Sequence, residues 1–148
     1  MKQLELAGFF PYQLSILQSA VSDSIAQLYA GKFNLSRQEW RVLATLGTKA
    51  GISAREVATY TSMEKMPVSR AISRLVKAGL ITQTGSREDR RLIILELTPE
   101  GRAIYEEIVP LVLEREAFLL SALDETEQEA LTDIMDKLLR KTEELKPQ

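Results

Sequence analysis

Two residue types are missing from the 148-residue chain altogether: cysteine and histidine. Without cysteine there can be no disulfide, no thiol switch and no thiolate metal site. Without histidine the commonest neutral-pH general base is lost, and with both absent so are the usual zinc ligands. Oxygen-ligand metal sites survive that exclusion, but no loop carries the closely spaced carboxylates they need, so no metal or cofactor is expected. Long apolar runs are lacking too: charged or polar side chains interrupt every stretch well before the roughly 20 apolar residues that span a bilayer. Residues 1–10 lack the basic start and unbroken apolar segment of a secretory leader. The expectation is a cytoplasmic protein without membrane contact. With 45% hydrophobic and 27% charged residues, it should form one globular domain or a small domain with helical extensions.

An excess of one charge is also nearly absent, since 19 Lys and Arg face 21 Asp and Glu for a net charge of −2. The distribution is less even than the sum. Residues 53–102 hold nine basic against six acidic side chains, a local +3; the remainder holds ten against fifteen, a local −5. A basic segment of this kind can serve a polyanion whatever the global balance.

What is present reads mostly as helix. Leu14, Leu17, Val21, Ile25 and Leu28 recur at three- and four-residue steps, predicting a first helix over residues 11–30 that stops at Gly31. Ser36 with Glu39 has the spacing of a capping box, in which each side chain accepts from the other's backbone N–H, and opens a second helix to about residue 46. Ser53 with Glu56 repeats the signal after the Gly51 turn and starts a short helix. The next helix turns Val68, Ala71, Ile72, Leu75 and Val76 inward and ends at Gly79; Pro67, tolerated only in a first turn, places its start near residue 64 or 65. Two β-prone runs over residues 80–84 and 92–97 predict a hairpin whose tip, residues 85–91, holds Arg87, Arg90 and Arg91. Thr98 and Pro99 start a long helix to about residue 123, roughly 37 Å, interrupted only by Pro110. Asp124 with Glu127 opens the last helix, which bears Leu131, Ile134, Met135, Leu138 and Leu139.

The helix from about residue 64 carries Lys65, Ser69, Arg70, Ser73 and Arg74 opposite its apolar stripe. Such a helix suits a DNA major groove, its N-terminal half facing the bases. The arginine-bearing hairpin tip beside it can reach a minor groove, whose enhanced negative potential attracts guanidinium groups. Asp89 lies two residues before Arg91 and, in extended chain, points to the same side, where it can hold that guanidinium. The candidate duplex-contacting set is Ser53, Lys65, Pro67, Ser69, Arg70, Ser73 and Arg74, with Arg87, Asp89, Arg90 and Arg91 from the tip.

Helix, helix, recognition helix, strand, wing and strand in this order resemble the MarR family of winged helix-turn-helix regulators. The likeness is carried by Val68-Ser69-Arg70, the stretch over residues 75–81, Asp89-Arg90-Arg91, Leu97-Thr98-Pro99-Glu100-Gly101 and the second-helix pattern Ser36-Arg37-Gln38-Glu39-Trp40-Arg41-Val42-Leu43. It covers nearly the whole chain. The resemblance implies Arg91 as the minor-groove arginine with Asp89 orienting it, and dimerisation through the flanking helices. The fold expectation is therefore mainly α with a small β-hairpin: a winged head over residues 36–98, with dimerisation helices over residues 1–35 and 99–148.

A long helical arm bears apolar surface that a small head cannot cover, which independently favours a two-fold homodimer. Its heads would meet palindromic half-sites about 34 Å apart on double-stranded DNA. The resemblance further implies repression and release by a small aromatic acid or phenolic effector. Phe9, Tyr12, Trp40 and Arg41, with Phe10 and Phe33 near them in sequence, are the candidate lining, since aromatic walls with one cation suit an anionic ring. Ser62-Met63-Glu64-Lys65 matches the S-x-x-K pattern of some acyl-transfer enzymes, but S-D-N and K-T-G companions are missing. Catalysis is not expected. The alternative to a DNA-binding regulator is a winged helix used for protein contacts alone.

Overall fold

The computed structural model describes residues 1–85, 88, 89 and 91–147. A single 3-10 turn (Leu6–Gly8) precedes α1 (Phe10–Tyr29), α2 (Arg37–Thr48), α3 (Ala54–Thr61) and α4 (Lys65–Lys77). Then come β1 (Ile81–Gly85), β2 (Ile93–Leu97), α5 (Pro99–Leu120) and α6 (Glu125–Glu143). The elements fall into two compact units, Met1–Val112 and Leu113–Gln148. The fold is mainly helical with one two-stranded antiparallel hairpin, and no helix among the described residues is long and apolar enough to cross a membrane.

In the first unit the core is built where α2, α3 and α4 pack on one another and on the hairpin. Val42, Leu43, Leu46, Val57, Val68, Ala71, Ile72 and Leu75 are buried there, joined by Tyr29 from α1 and Ile108 from α5. In α4 the buried positions Val68, Ala71, Ile72 and Leu75 follow the three- and four-residue spacing of one helical face. The strands pair Ile81 with Leu97 and Gln83 with Leu95, so Ile81 and Leu95 close the core from below. Ile52 adds an isolated bridge to Leu95, whose N–H donates to the Ile52 carbonyl at 2.8 Å. Leu92 and Ile93, further toward the tip, stay exposed because the core ends short of them.

Two of the three capping pairs fold as their spacing demands. Ser53 with Glu56 and Asp124 with Glu127 each form the reciprocal box. Ser36 makes only half of one: its Oγ accepts from the Glu39 N–H at 3.1 Å, but the Glu39 carboxylate turns away from the Ser36 backbone. Instead it accepts from the Ser36 hydroxyl at 2.8 Å and faces Arg74 of α4.

A tight latch joins the end of α4 to the start of α5. Gly79, at φ +77°, ends α4 in the left-handed region that glycine adopts without strain. Thr98 then donates from its N–H to the Leu80 carbonyl at 3.0 Å and from its Oγ1 to the Gly79 carbonyl at 2.6 Å, while the Gly101 N–H donates to that same Oγ1 at 3.0 Å. Gly101 is buried against this turn: a Cβ there would overlap the Leu80 carbonyl oxygen. A second glycine, Gly47, lets α2 pass close to α5, since a Cβ would lie 2.5 Å from the Tyr105 ring, and Arg102 Nη1 donates to the Gly47 carbonyl at 3.1 Å.

Helix α5 continues through Pro110 and ends at Leu120, three residues short of the expected end. In the second unit, the Gln128 side-chain amide donates to the Leu120 and Leu123 carbonyls at 2.9 and 3.1 Å, satisfying acceptors that a helix end leaves open. Helix α6 has no buried residue; Leu131, Ile134, Met135, Leu138 and Leu139 are all exposed. The first half of α1 is equally bare, with Phe10, Leu14, Ile16, Leu17 and Val21 exposed, and only its last turns reach the core.

Candidate nucleic-acid interface

The α3–α4 turn sets the angle of the exposed helix. Ser62 caps α3 at φ +55°, and the Met63 N–H returns to the Ala58 carbonyl at 3.2 Å, so the chain reverses within three residues. Ser62 therefore belongs to the turn and Lys65 to the first position of α4; they do not share a helix as an S-x-x-K nucleophile and base would. Pro67 occupies the third position of α4, where an amide hydrogen would have no intrahelical acceptor.

Opposite its buried stripe, α4 exposes Lys65, Met66, Ser69, Arg70, Ser73, Arg74 and Lys77. Five of these were read from the sequence; Met66 and Lys77 were not. Projecting the helix at 3.6 residues per turn would have found both, because Met66 lies at the centre of the outward face with Ser73 and Lys77 about 20° to either side of it. A groove of about 290 Å³ between α2 and α4 is lined by Ser36, Gln38, Glu39, Pro67, Arg70, Ala71 and Arg74, so it belongs to the same surface. Within it Glu39, itself 9% exposed, sits 3.6 Å from Arg74 Nη1, holding one edge of a guanidinium that is otherwise open to solvent.

On the wing, Asp89 Oδ1 accepts from the Arg91 backbone N–H at 3.0 Å and lies 3.5 Å from its Nε. The Arg91 side chain is 92% exposed, so the carboxylate steadies the base of a cation that projects into solvent. Arg87 and Arg90 lie outside the described residues. Ser53 stands apart from the exposed set: it is buried, and its hydroxyl is engaged with Glu56 in the α3 capping box.

The four candidate effector residues do not meet within one chain. Trp40 stacks on Tyr29 with ring centroids 5.6 Å apart, and Arg41 follows it on α2. Tyr12 lies 17 residues before Tyr29 on α1, about 25 Å away along the axis, and Phe9 caps the far end. Burial of Tyr29 pushes its phenol above the usual 10.0, opposed in part by the Arg37 and Arg41 charges.

A helix-turn-helix packed on a two-stranded wing, with a basic and hydroxyl-bearing face turned outward, defines a winged helix-turn-helix protein. The MarR family model matches residues 33–92. The uncharacterized HTH-type transcriptional regulator YwoH of Bacillus subtilis (strain 168) is 32% identical over 108 residues, covering 73% of this chain and 78% of that protein. Among solved structures, a MarR/EmrR family transcriptional regulator from Acinetobacter sp. ADP1 matches with a TM-score of 0.86 and 26% identity over 95% of this chain and 99% of that one. The transcriptional repressor CouR, bound to a 23-mer DNA duplex, matches with a TM-score of 0.80 and 28% identity over 94% and 98%. The chain belongs to the MarR family of DNA-binding transcriptional regulators, which are not enzymes.

Proposed function

We propose that this regulator is a cytoplasmic homodimeric repressor that seats α4 of each copy in successive major grooves of a palindromic operator and is released by a small aromatic or phenolic acid. The observation that carries this reading is the outward face of α4, where every exposed side chain but one is a cation or a hydroxyl, flanked by a wing arginine steadied by its own carboxylate. Ser69, Arg70 and Ser73 are then the base-edge candidates, Lys65 and Arg74 the phosphate contacts, Pro67 the residue that fixes the helix start, and Arg91 the minor-groove probe with Asp89 as its support. Ser53 serves indirectly, by capping α3.

The bare first half of α1 supplies one apolar surface for the second copy, and the uncovered face of α6 supplies another. Residues 1–35 and 99–148 act in pairing and residues 36–98 in reading. Because Tyr12 and Phe9 lie about 25 and 30 Å along α1 from Tyr29, the ring on which Trp40 stacks, a single pocket combining all four effector candidates needs both copies: the aromatic end of one α1 beside Trp40 and Arg41 of the other. A ligand seated there would favour one head spacing over another and so alter operator affinity.

Selection of duplexes from the source genome, followed by anisotropy titration over a salt series, tests the reading. An enriched palindrome should bind far more tightly than random duplex, with affinity falling as salt rises. Arg91→Ala should weaken binding about ten-fold without lowering the unfolding midpoint. Equal affinity for enriched and random duplex, or a monomer by light scattering, would refute it.

A further inference from the structure

Met66 is the one apolar side chain among the exposed residues of α4, at the helix's second position and 64% exposed. It points directly away from the buried Val68, Ala71, Ile72 and Leu75 stripe, in line with Ser73 and Lys77 at about 20° to either side, and is the member of that line nearest the N-terminus. Recognition helices set that end against base edges. We propose that Met66 is a specificity-determining residue that reads the C5-methyl group of a thymine in each operator half-site; the assignment rests on the DNA-reading role of α4 set out above.

Base-edge chemistry leaves such a side chain one partner. In the major groove each base pair offers hydrogen-bond donors and acceptors, and thymine alone among unmodified bases adds a methyl group. A thioether side chain carries no donor and only a weak acceptor, so it discriminates poorly among the polar groups. It can, however, remove a methyl from water, and its unbranched, polarizable chain adapts to a surface whose shape is set by the duplex. Its polar neighbours sharpen the contrast: Lys65, Ser69, Arg70 and Ser73 can each satisfy phosphates or polar base edges, which leaves the methyl to Met66. Burying one methyl-sized group corresponds to about a four-fold change in affinity.

The test uses the full-length protein and a duplex enriched by it from a random-sequence library. Each thymine in turn is replaced by deoxyuridine, which deletes the methyl and leaves the hydrogen-bonding edge intact, and binding is titrated for the native protein, Met66→Gln and Met66→Leu. One symmetry-related thymine pair should show a loss of about four-fold per half-site with the native protein, none with Met66→Gln, and a restored loss with Met66→Leu. Indifference of the native protein to deoxyuridine at every thymine overturns the assignment, as does an equal loss in Met66→Gln. Failure to enrich any duplex refutes the operator reading itself and takes this assignment with it. If Met66→Gln does not fold, Met66→Ala supplies the same comparison.

Discussion

Replacing Gly101 by alanine should cost this protein stability, although the same change in most helices adds it. In an open helical position alanine is favoured over glycine by about 1 kcal/mol. Here the added Cβ would overlap the Leu80 carbonyl oxygen and come within 3.0 Å of its carbonyl carbon, both backbone atoms that no rotamer can move. Clearing them means separating the start of α5 from the end of α4 by about 1 Å. That strains the Thr98 N–H to Leu80 bond at 3.0 Å and the Thr98 Oγ1 to Gly79 bond at 2.6 Å. Two hydrogen bonds at about 1 kcal/mol each, plus about 1–2 kcal/mol for leaving the Leu80 carbonyl without its donor, outweigh the gain in helix preference. A net loss of about 2–3 kcal/mol is expected, lowering the thermal midpoint by about 5–10 °C at fixed protein concentration. Urea or thermal unfolding followed by circular dichroism measures it, with Gly31→Ala as the control because no atom lies within 4 Å of a Cβ there. A Gly101→Ala protein as stable as the native chain would refute the latch as a tight joint.

Glu39→Gln should weaken operator binding about two- to five-fold by releasing the Arg74 guanidinium, and should add nothing in an Arg74→Gln background; a rise in affinity would show that Glu39 merely repels the duplex. The cost in folding should stay below about 1 kcal/mol, because Arg74 is largely solvated. Tyr29 makes a pH prediction. Its folded-state pKa lies above the unfolded 10.0, so the native chain keeps the phenolic proton longer than the unfolded chain does. Its stabilising contribution is complete below about pH 10 and is lost as pH climbs through the folded pKa. Urea midpoints at about pH 9 and about pH 11 should fall less steeply for Tyr29→Phe than for the native protein, and equal slopes would count against burial as the cause.

Local chemistry made most of the fold legible. The Ser53–Glu56 and Asp124–Glu127 boxes, Pro67 and Gly79 mark helix ends within a residue or two because each acts on backbone groups only three or four positions away. Glu39 shows where that reach stops. Its partner Arg74 is 35 residues distant, and only the packing of α2 on α4 reveals that the carboxylate leaves its box to hold a cation. The four effector candidates stand apart within one chain for a related reason: residue types state what a pocket wants, but the length of α1 decides what can meet in one chain. Met66 carries neither charge nor hydroxyl, and an exposed apolar side chain acquires meaning only once the buried face opposite it is known.

The chain has a single tryptophan, and the fold sets it where the inner end of α1 meets α2, its indole lying on the Tyr29 ring. Ultraviolet emission excited at long wavelength therefore comes from one indole at one joint, with no second fluorophore of its kind to blur it. A shift in colour or intensity on adding a compound or a duplex is thus a direct optical gauge of how these two helices meet, available in the unlabelled native protein.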